Sequence, residues 1–195
     1  MAFLIRNTQT RYGWIAILLH WLIAPLLIGQ IVLGLAMVRV TSQRTAFELI
    51  QLHKSLGFLV LGLVVLRVGW RLANAAPRLP AGTGRLERRA APATHVALYA
   101  LQLLLPLTGW ALVSASVLEI PSMPFDLFVM PNLPVAVSDR GEAWWRAAHA
   151  YLAYMAIALV AVHVLAALRH HFRLGDNVLA RMISPSRQRD DTEPE

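Results

Sequence analysis

Four long runs of apolar residues alternate with short polar segments along the chain, at positions 14–38, 47–68, 95–117 and 145–168. Each run is about as long as the roughly 20 apolar residues that a helix needs to cross the hydrocarbon core of a bilayer. Backbone polar groups find no water inside lipid, so runs of this length form helices whose hydrogen bonds are internal. The pattern therefore predicts an all-α integral membrane protein, a bundle of four transmembrane helices.

The overall composition agrees with a membrane setting. Hydrophobic residues make up 57% of the 195 positions, charged residues make up 15%, and the mean hydropathy is +0.53. A soluble domain of this length would have too little polar sequence to cover four such helices. The first apolar run is longer than the core of a signal peptide and lacks a small-residue cleavage site, which predicts a retained helix.

The charged residues predict the orientation of the bundle. The net charge of +7 comes from 17 arginines and a single lysine, Lys54. Most of the arginines lie in the segments before the first helix, between the second and third, and after the fourth, where they would meet lipid headgroups. These segments should face the cytoplasm, so both termini are predicted to lie inside. Because the basic residues form no single face of a soluble fold, we expect no nucleic acid partner.

Two polar segments separate the later helices. Residues 74–92, rich in proline, glycine and arginine, are predicted to form a basic inner loop. Residues 120–138 interleave four prolines with apolar side chains, which predicts an outer lid with a short amphipathic turn, or a loop that merely dips into the headgroups. The membrane domain should cover residues 1–183, and residues 184–195 are predicted to be a disordered tail.

Histidine is the most informative residue type in the apolar runs. Four histidines, His20, His53, His149 and His163, fall within the predicted helices. Ionisable side chains are costly inside a membrane and usually face the bundle interior in a functional role. His149 and His163 are fourteen residues apart, so at about 100° per residue they share one helix face, roughly 21 Å apart along the axis.

The direction of each helix pairs these histidines by depth. The first helix runs outward, which places His20 in the inner half, and the second returns, which places His53 in the outer half. Depth therefore pairs His20 with His163 and His53 with His149. Two neutral imidazoles from different helices suit the two axial positions of a haem iron. Since the chain has no cysteine, covalent attachment is excluded, and we predict two noncovalently held b-type haems.

Other roles for membrane histidines remain open at this point. A single buried histidine can also hydrogen-bond to another helix or carry protons in a transporter. Zinc is a weaker alternative, because its sites gather three or four ligands at one point. The remaining histidines, His95, His170 and His171, occur at helix ends and are expected to be interfacial. His170, seven residues after His163, is the best substitute ligand among them.

A few further residues are candidates for the same site. Arg67, fourteen residues after His53, and Arg71, one turn later, either contact the propionates of the inner haem or snorkel to the interface. Lys54 either attracts an anion at the outer mouth or anchors its helix. Gly57, one turn after His53, either leaves room for the macrocycle or is one of the glycines that are common in membrane helices.

Several motifs occur together in an order that is similar to a known family. These are LLHWLIAP around His20, HKSLGFLVLGLVVLRVGWRL in the second helix, PATHVALYALQLLLPLTGW in the third, and HVLAALRHHF followed by GDNVLARM after the fourth. Over residues 10–183 the chain resembles the bacterial cytochrome b561 family. The resemblance implies a dihaem cytochrome of the inner membrane with ligands at His20, His53, His149 and His163, in agreement with the depth argument.

The resemblance also implies an activity. Members of this family look like electron carriers between the periplasmic face and the quinone pool, and the best-defined activity among them is superoxide:ubiquinone oxidoreductase. The expected partners are thus the lipid bilayer, a quinone, and superoxide or another periplasmic electron donor. In the alternative, the chain is a membrane cytochrome b subunit that relays electrons between a partner dehydrogenase or hydrogenase and the quinone pool.

Overall fold

The computed structural model describes residues 4–79 and 84–183. Within these ranges the long elements are four helices, α1 (Trp14–Met37), α2 (Gln43–Ala73), α3 (Arg85–Ser114) and α4 (Asp139–Arg169). All four are long and apolar enough to cross a membrane, which confirms the predicted all-α class. The predicted tail at 184–195 lies outside the described residues, and the cytoplasmic location of the termini stays a prediction.

The helices extend further into polar sequence than the apolar runs. The largest difference is at α3, which begins at Arg85, ten residues before the predicted start. The prediction of a loop over residues 74–92 is therefore wrong for residues 85–92. Arginine, leucine, glutamate and alanine in this stretch are strong helix formers, and Glu87 in the first turn complements the helix dipole. Pro92 removes one backbone donor without ending the helix.

The helices pack in chain order. α1 packs on α2, α2 on α3, and α3 on α4. One core cluster joins α1 to α2 through Ile23, Val60 and Val64, and a second joins α3 to α4 through Leu101, Leu105 and Ala156. In the described part of the chain, α4 has no comparably extensive contact with α1 or α2. α4 therefore approaches the α1–α2 pair less closely than it approaches α3.

The segment between α3 and α4 covers the end of the bundle that we call the outer end, after the predicted orientation. Its residues 120–138, the lid, contain a 3₁₀ turn at Pro124–Asp126. The Phe125 N–H donates to Ser55 Oγ on α2 at 3.0 Å, and the Trp110 indole N–H on α3 donates to the Pro131 carbonyl at 2.9 Å. The lid is thus fastened to two helices.

The opposite, inner end is closed by segments from three parts of the chain. The Trp21 indole N–H on α1 donates to the Met182 carbonyl at 2.6 Å. The Arg181 guanidinium donates to the Arg78 carbonyl at 3.0 Å, and the Arg78 N–H donates to the Gln9 carbonyl at 2.8 Å. These bonds hold the C-terminal segment against α1 and against the segment that follows α2.

Candidate haem sites

The structure brings the four membrane histidines together in the predicted pairs. The ring centroids of His20 and His163 are 6.4 Å apart, and those of His53 and His149 are 6.1 Å apart. An imidazole nitrogen binds a metal at about 2.0 Å and lies about 1.2 Å from its ring centroid, so two imidazoles on opposite sides of one metal ion would have centroids about 6.4 Å apart. Both observed separations match this spacing.

The facing residues of the four helices form three layers that are two helical turns, or about 10.5 Å, apart. Each helix contributes residues at intervals of seven, which lie on nearly the same face. The inner layer contains His20, Arg67, His95 and His163. The middle layer contains Leu27, Val60, Gln102 and Ala156, which are 8%, 3%, 8% and 1% exposed. The outer layer contains Gly34, His53, Gly109 and His149.

In the outer layer each histidine lies against a glycine of a neighbouring helix. A Cβ atom on Gly109 would lie 3.2 Å from Cε1 of His149, and one on Gly34 would lie 3.3 Å from Cε1 of His53. An alanine at either position would require the imidazole to shift by a few tenths of an ångström, and a larger side chain would require a larger shift. Gly57 leaves room for a different side chain, because a Cβ there would lie 3.3 Å from the Gln30 side-chain nitrogen.

Hydrogen bonding orients the outer histidines differently. His149 Nδ1 donates to the Leu105 carbonyl at 3.0 Å and lies 3.2 Å from the Thr108 hydroxyl. A carbonyl only accepts, so Nδ1 carries the proton and Nε2 keeps its lone pair for a metal. In the described residues His53 Nδ1 is buried without a partner. No hydrogen bond there fixes which nitrogen of His53 carries the proton, in contrast to His149.

In the inner layer an arginine is hydrogen-bonded to one of the paired histidines. Arg67 Nη2 donates to His20 Nδ1 at 2.9 Å, and its guanidinium lies 5.3 Å from the centroid of the Tyr99 ring. A guanidinium has no acceptor, so Nδ1 of this neutral ring accepts and Nε2 carries the proton. Binding a metal through Nε2 requires Arg67 to leave His20. Arg71 instead donates to the Asn74 carbonyl at 3.3 Å, at the end of α2.

His95 also belongs to the inner layer, a position that sequence reasoning did not assign to it. Its ring lies edge-on to that of His163, with centroids 5.7 Å apart. Part of the residue's surface nevertheless remains exposed. His95 and Gly109 are fourteen residues apart and so lie on one face of α3. This spacing was the sequence pattern that could have predicted the position of His95.

The two remaining histidines lie beyond the inner layer. His170 occurs in a π-helical turn, His170–Leu174, and its Nδ1 lies 2.5 Å from Asp176 Oδ2. Desolvation raises the pKa of Asp176, but hydrogen bonds from His170 and from the Val178 N–H, together with charge interactions with His170 and Arg181, lower the pKa overall. His171 packs against Phe172. His170 is thus engaged by a carboxylate and does not join His163 as a substitute ligand.

The outer end contains a cavity of about 490 Å³ between α2 and the lid. Glu48 and Asp126 are among its lining residues. Lys54 Nζ donates to the Pro121 carbonyl at 3.3 Å, so in this structure it fastens the lid beside His53. The outer end of the bundle therefore contains acidic groups as well as the single lysine.

The residues present fit two haem groups. Each imidazole pair joins α4 to another helix, and the described residues contain no cluster of three or more histidine or acidic side chains suited to a metal ion. Histidines that occur in pairs would suit a haem, because a haem would need only the two imidazoles from the protein.

Comparison with known proteins gives similar sequences over nearly the whole chain. The model of the family described as prokaryotic cytochrome b561 matches residues 11–185. "Cytochrome b561 homolog 2" of Escherichia coli (strain K12) is 33% identical over 183 residues, covering 92% of this chain and 95% of that protein. "Probable superoxide oxidase CybB" of Yersinia pestis is 29% identical over 178 residues, covering 91% and 98%. "Cytochrome b562" of Cereibacter sphaeroides is 26% identical over 185 residues, covering 89% and 96%.

The family match includes all four helices and both histidine pairs, and it agrees with the motifs found in the sequence. Proteins of this family are membrane electron-transfer proteins with b-type haem. The chain therefore belongs to the prokaryotic cytochrome b561 family.

Proposed function

We propose that this protein binds two haems, one between His20 and His163 and one between His53 and His149, and carries electrons across the bacterial inner membrane. The observation that carries the proposal is the presence of two interhelical imidazole pairs, with centroids 6.4 and 6.1 Å apart, at opposite ends of α4. When bound, the haems supply one-electron redox centres whose potentials depend on ligands, hydrogen bonds and burial.

The chain's own residues prepare these positions. The Leu105 carbonyl holds His149 with Nε2 free, and the glycines at 34 and 109 admit the outer imidazoles. Arg67 lies close enough to the inner pair to meet haem propionates once it leaves His20. The middle layer excludes water between the two sites, which strengthens electrostatic effects there.

For the substrates, we propose oxidation of superoxide at the periplasmic face and reduction of ubiquinone. Two superoxide anions lose one electron each and leave as dioxygen, and ubiquinone takes both electrons with two protons to become ubiquinol. A relative named probable superoxide oxidase supports this choice. Lys54 at the outer mouth would attract an anion, as would Arg39 and Arg44 at the same end, although Arg44 is paired with Glu48 at 3.0 Å.

A second function is favoured by the surface of the lid. Leu127, Phe128 and Val129 are 76%, 53% and 60% exposed there, an apolar surface that either lipid headgroups or a partner subunit would cover. A partner would make the protein the membrane cytochrome subunit of a dehydrogenase or hydrogenase.

One experiment separates these proposals. The purified protein is quantified for noncovalent haem, its anaerobic reduced-minus-oxidised spectrum is recorded, and superoxide and then ubiquinone are added. Two b haems per chain that superoxide reduces and ubiquinone reoxidises are the expected result. Two haems that superoxide does not reduce would overturn the superoxide activity in favour of the subunit function. A colourless protein that does not take up added haem would contradict the dihaem proposal itself.

A further inference from the structure

Gln102 is the polar member of the middle layer. It lies seven residues from both His95 and Gly109, and these two residues approach His163 and His149 respectively. Gln102 is therefore about 10.5 Å along α3 from each histidine pair, on the face that both pairs share. Its side chain is only 8% exposed, and in the described structure its Oε1 is buried without a hydrogen-bond donor.

A second oxygen of the same residue also lacks its usual partner. In an α-helix the carbonyl of Gln102 would accept from the N–H of residue 106, and residue 106 is a proline within α3. Pro106 has no N–H to donate. Gln102 thus brings together two carbonyl oxygens, one from the side chain and one from the backbone, whose negative ends are not neutralised by these donors.

We propose that Gln102 and Pro106 form an electronegative site midway between the two haem positions, and that this site lowers the reduction potentials of the haems. Oxidation adds a positive charge to a haem with two neutral imidazole ligands, so nearby partial negative charge stabilises the oxidised form. The surrounding middle layer is buried and apolar, and a dipole acts strongly over this distance in a low dielectric. Gln102 is in this sense a tuning residue, and it binds neither iron.

The direction of the side chain indicates which haem is more affected. Helical side chains tilt toward the N-terminus of their helix, and the N-terminal end of α3 carries His95 in the inner layer. The Gln102 amide therefore leans toward the inner haem position. Removing it should raise the inner potential more than the outer one, and so change the distribution of electrons between the two haems.

The test is a potentiometric titration of the haem-loaded protein, compared with the variant Gln102→Met, which keeps the length of the side chain and removes its dipole. The expected result is two haems with unchanged visible spectra, and about a tenfold change in the equilibrium constant for reduction of the inner haem. For a one-electron couple this corresponds to about 59 mV toward more positive potential. Leu27→Met, an apolar change in the same layer, is the matched control and should leave both potentials unchanged.

This inference rests on the proposed dihaem function, and different results would contradict the function and the inference. A wild-type protein without two haems contradicts the proposed function. A Gln102→Met protein with two haems and wild-type potentials overturns the inference alone. If Gln102→Met does not retain haem, Pro106→Ala decides, because it restores a donor for the Gln102 carbonyl: raised potentials support the electronegative site, and unchanged potentials overturn it.

Discussion

At the scale of single residues, the two histidine pairs differ in how each imidazole is held. His149 has its Nδ1 proton fixed by the Leu105 carbonyl, whereas His20 accepts a hydrogen bond from Arg67. The first arrangement presents Nε2 to a metal, and the second must be broken before Nε2 can bind. Under the proposed function, His149 is therefore already oriented to hold a haem, whereas His20 would first require Arg67 to move.

The pairing of ligands leads to a prediction about haem content. His20→Ala or His163→Ala should reduce the haem content from two per chain to one by removing the inner haem, and His53→Ala or His149→Ala should remove the outer one. Haem quantification and spectra of the purified variants measure this. The exposed His171 provides a control, since His171→Ala should keep both haems. Loss of the same haem in His20→Ala and His53→Ala would disprove the pairing.

Arg67 should affect the inner haem through its charge. A positive charge close to a haem favours the reduced form, so Arg67→Gln should lower the inner reduction potential by about 60 mV, about tenfold in the equilibrium constant. Redox titration gives the shift. Arg71→Gln is the matched comparison, because Arg71 bonds to the Asn74 carbonyl at the end of α2. Equal shifts in both variants would mean that neither arginine has a special relation to the inner pair.

Lys54 should contribute to the encounter with superoxide. Lys54→Gln is expected to slow superoxide-driven haem reduction severalfold at low salt and to weaken its dependence on ionic strength, because steering acts over about one Debye length. Stopped-flow rates at several salt concentrations test this. The same change at Arg173, exposed near the inner end, should have no effect on the rate. An unchanged rate for Lys54→Gln would show that Lys54 does not steer superoxide. Its hydrogen bond to the lid would then be its remaining role.

At the scale of the helices, hydropathy predicted which part of the chain forms each helix, whereas helix propensity decided where α3 begins. The apolar runs placed the membrane-crossing part of all four helices, because lipid leaves a helix as the only means of satisfying the backbone. They did not give the first ten residues of α3, which are polar or interrupted by Pro92. There, strong helix formers outweighed the proline that had predicted a loop.

Close packing of α3 against α4 depends on Gly109. Gly109→Leu should place side-chain atoms where the His149 ring lies, since even a Cβ would approach it to 3.2 Å. Overpacking of this kind costs about 1–3 kcal/mol, so the outer haem should bind about 5-fold to 150-fold more weakly while the inner haem stays. Haem titration of the apoprotein measures both sites. Gly62→Leu is the control, because a Cβ there meets nothing within 4 Å.

At the scale of the whole molecule, the sequence predicted which histidines face each other but not the layers between them. Depth could be counted along each helix from its ends, and the resulting pairs agree with the structure. Contacts such as that of Arg67 with His20 depend on the rotation of one helix against another. Hydropathy does not fix that rotation, so the buried position of Gln102 and the contact of His95 with His163 became visible only in three dimensions.

The arginine distribution predicts the orientation of the whole bundle. A fluorescent protein fused after the C-terminal residue should fold and fluoresce, because the positive-inside rule places this end in the cytoplasm. Alkaline phosphatase inserted in the lid should be active, since it requires the periplasm. Fluorescence and phosphatase activity in whole cells provide the readouts. The opposite pattern for the two fusions would invert the inner and outer ends described above.

The shared use of α4 has a consequence for how the protein is assembled. α4 provides one ligand of each pair and packs extensively on α3 alone among the long helices of the described chain. Because α4 follows the other three long helices in chain order, neither of the two proposed haems could gain its second histidine before α4 is synthesised. Under that proposal, capture of both cofactors waits for the fourth helix, and a chain truncated before α4 would be unable to retain either haem by two histidines.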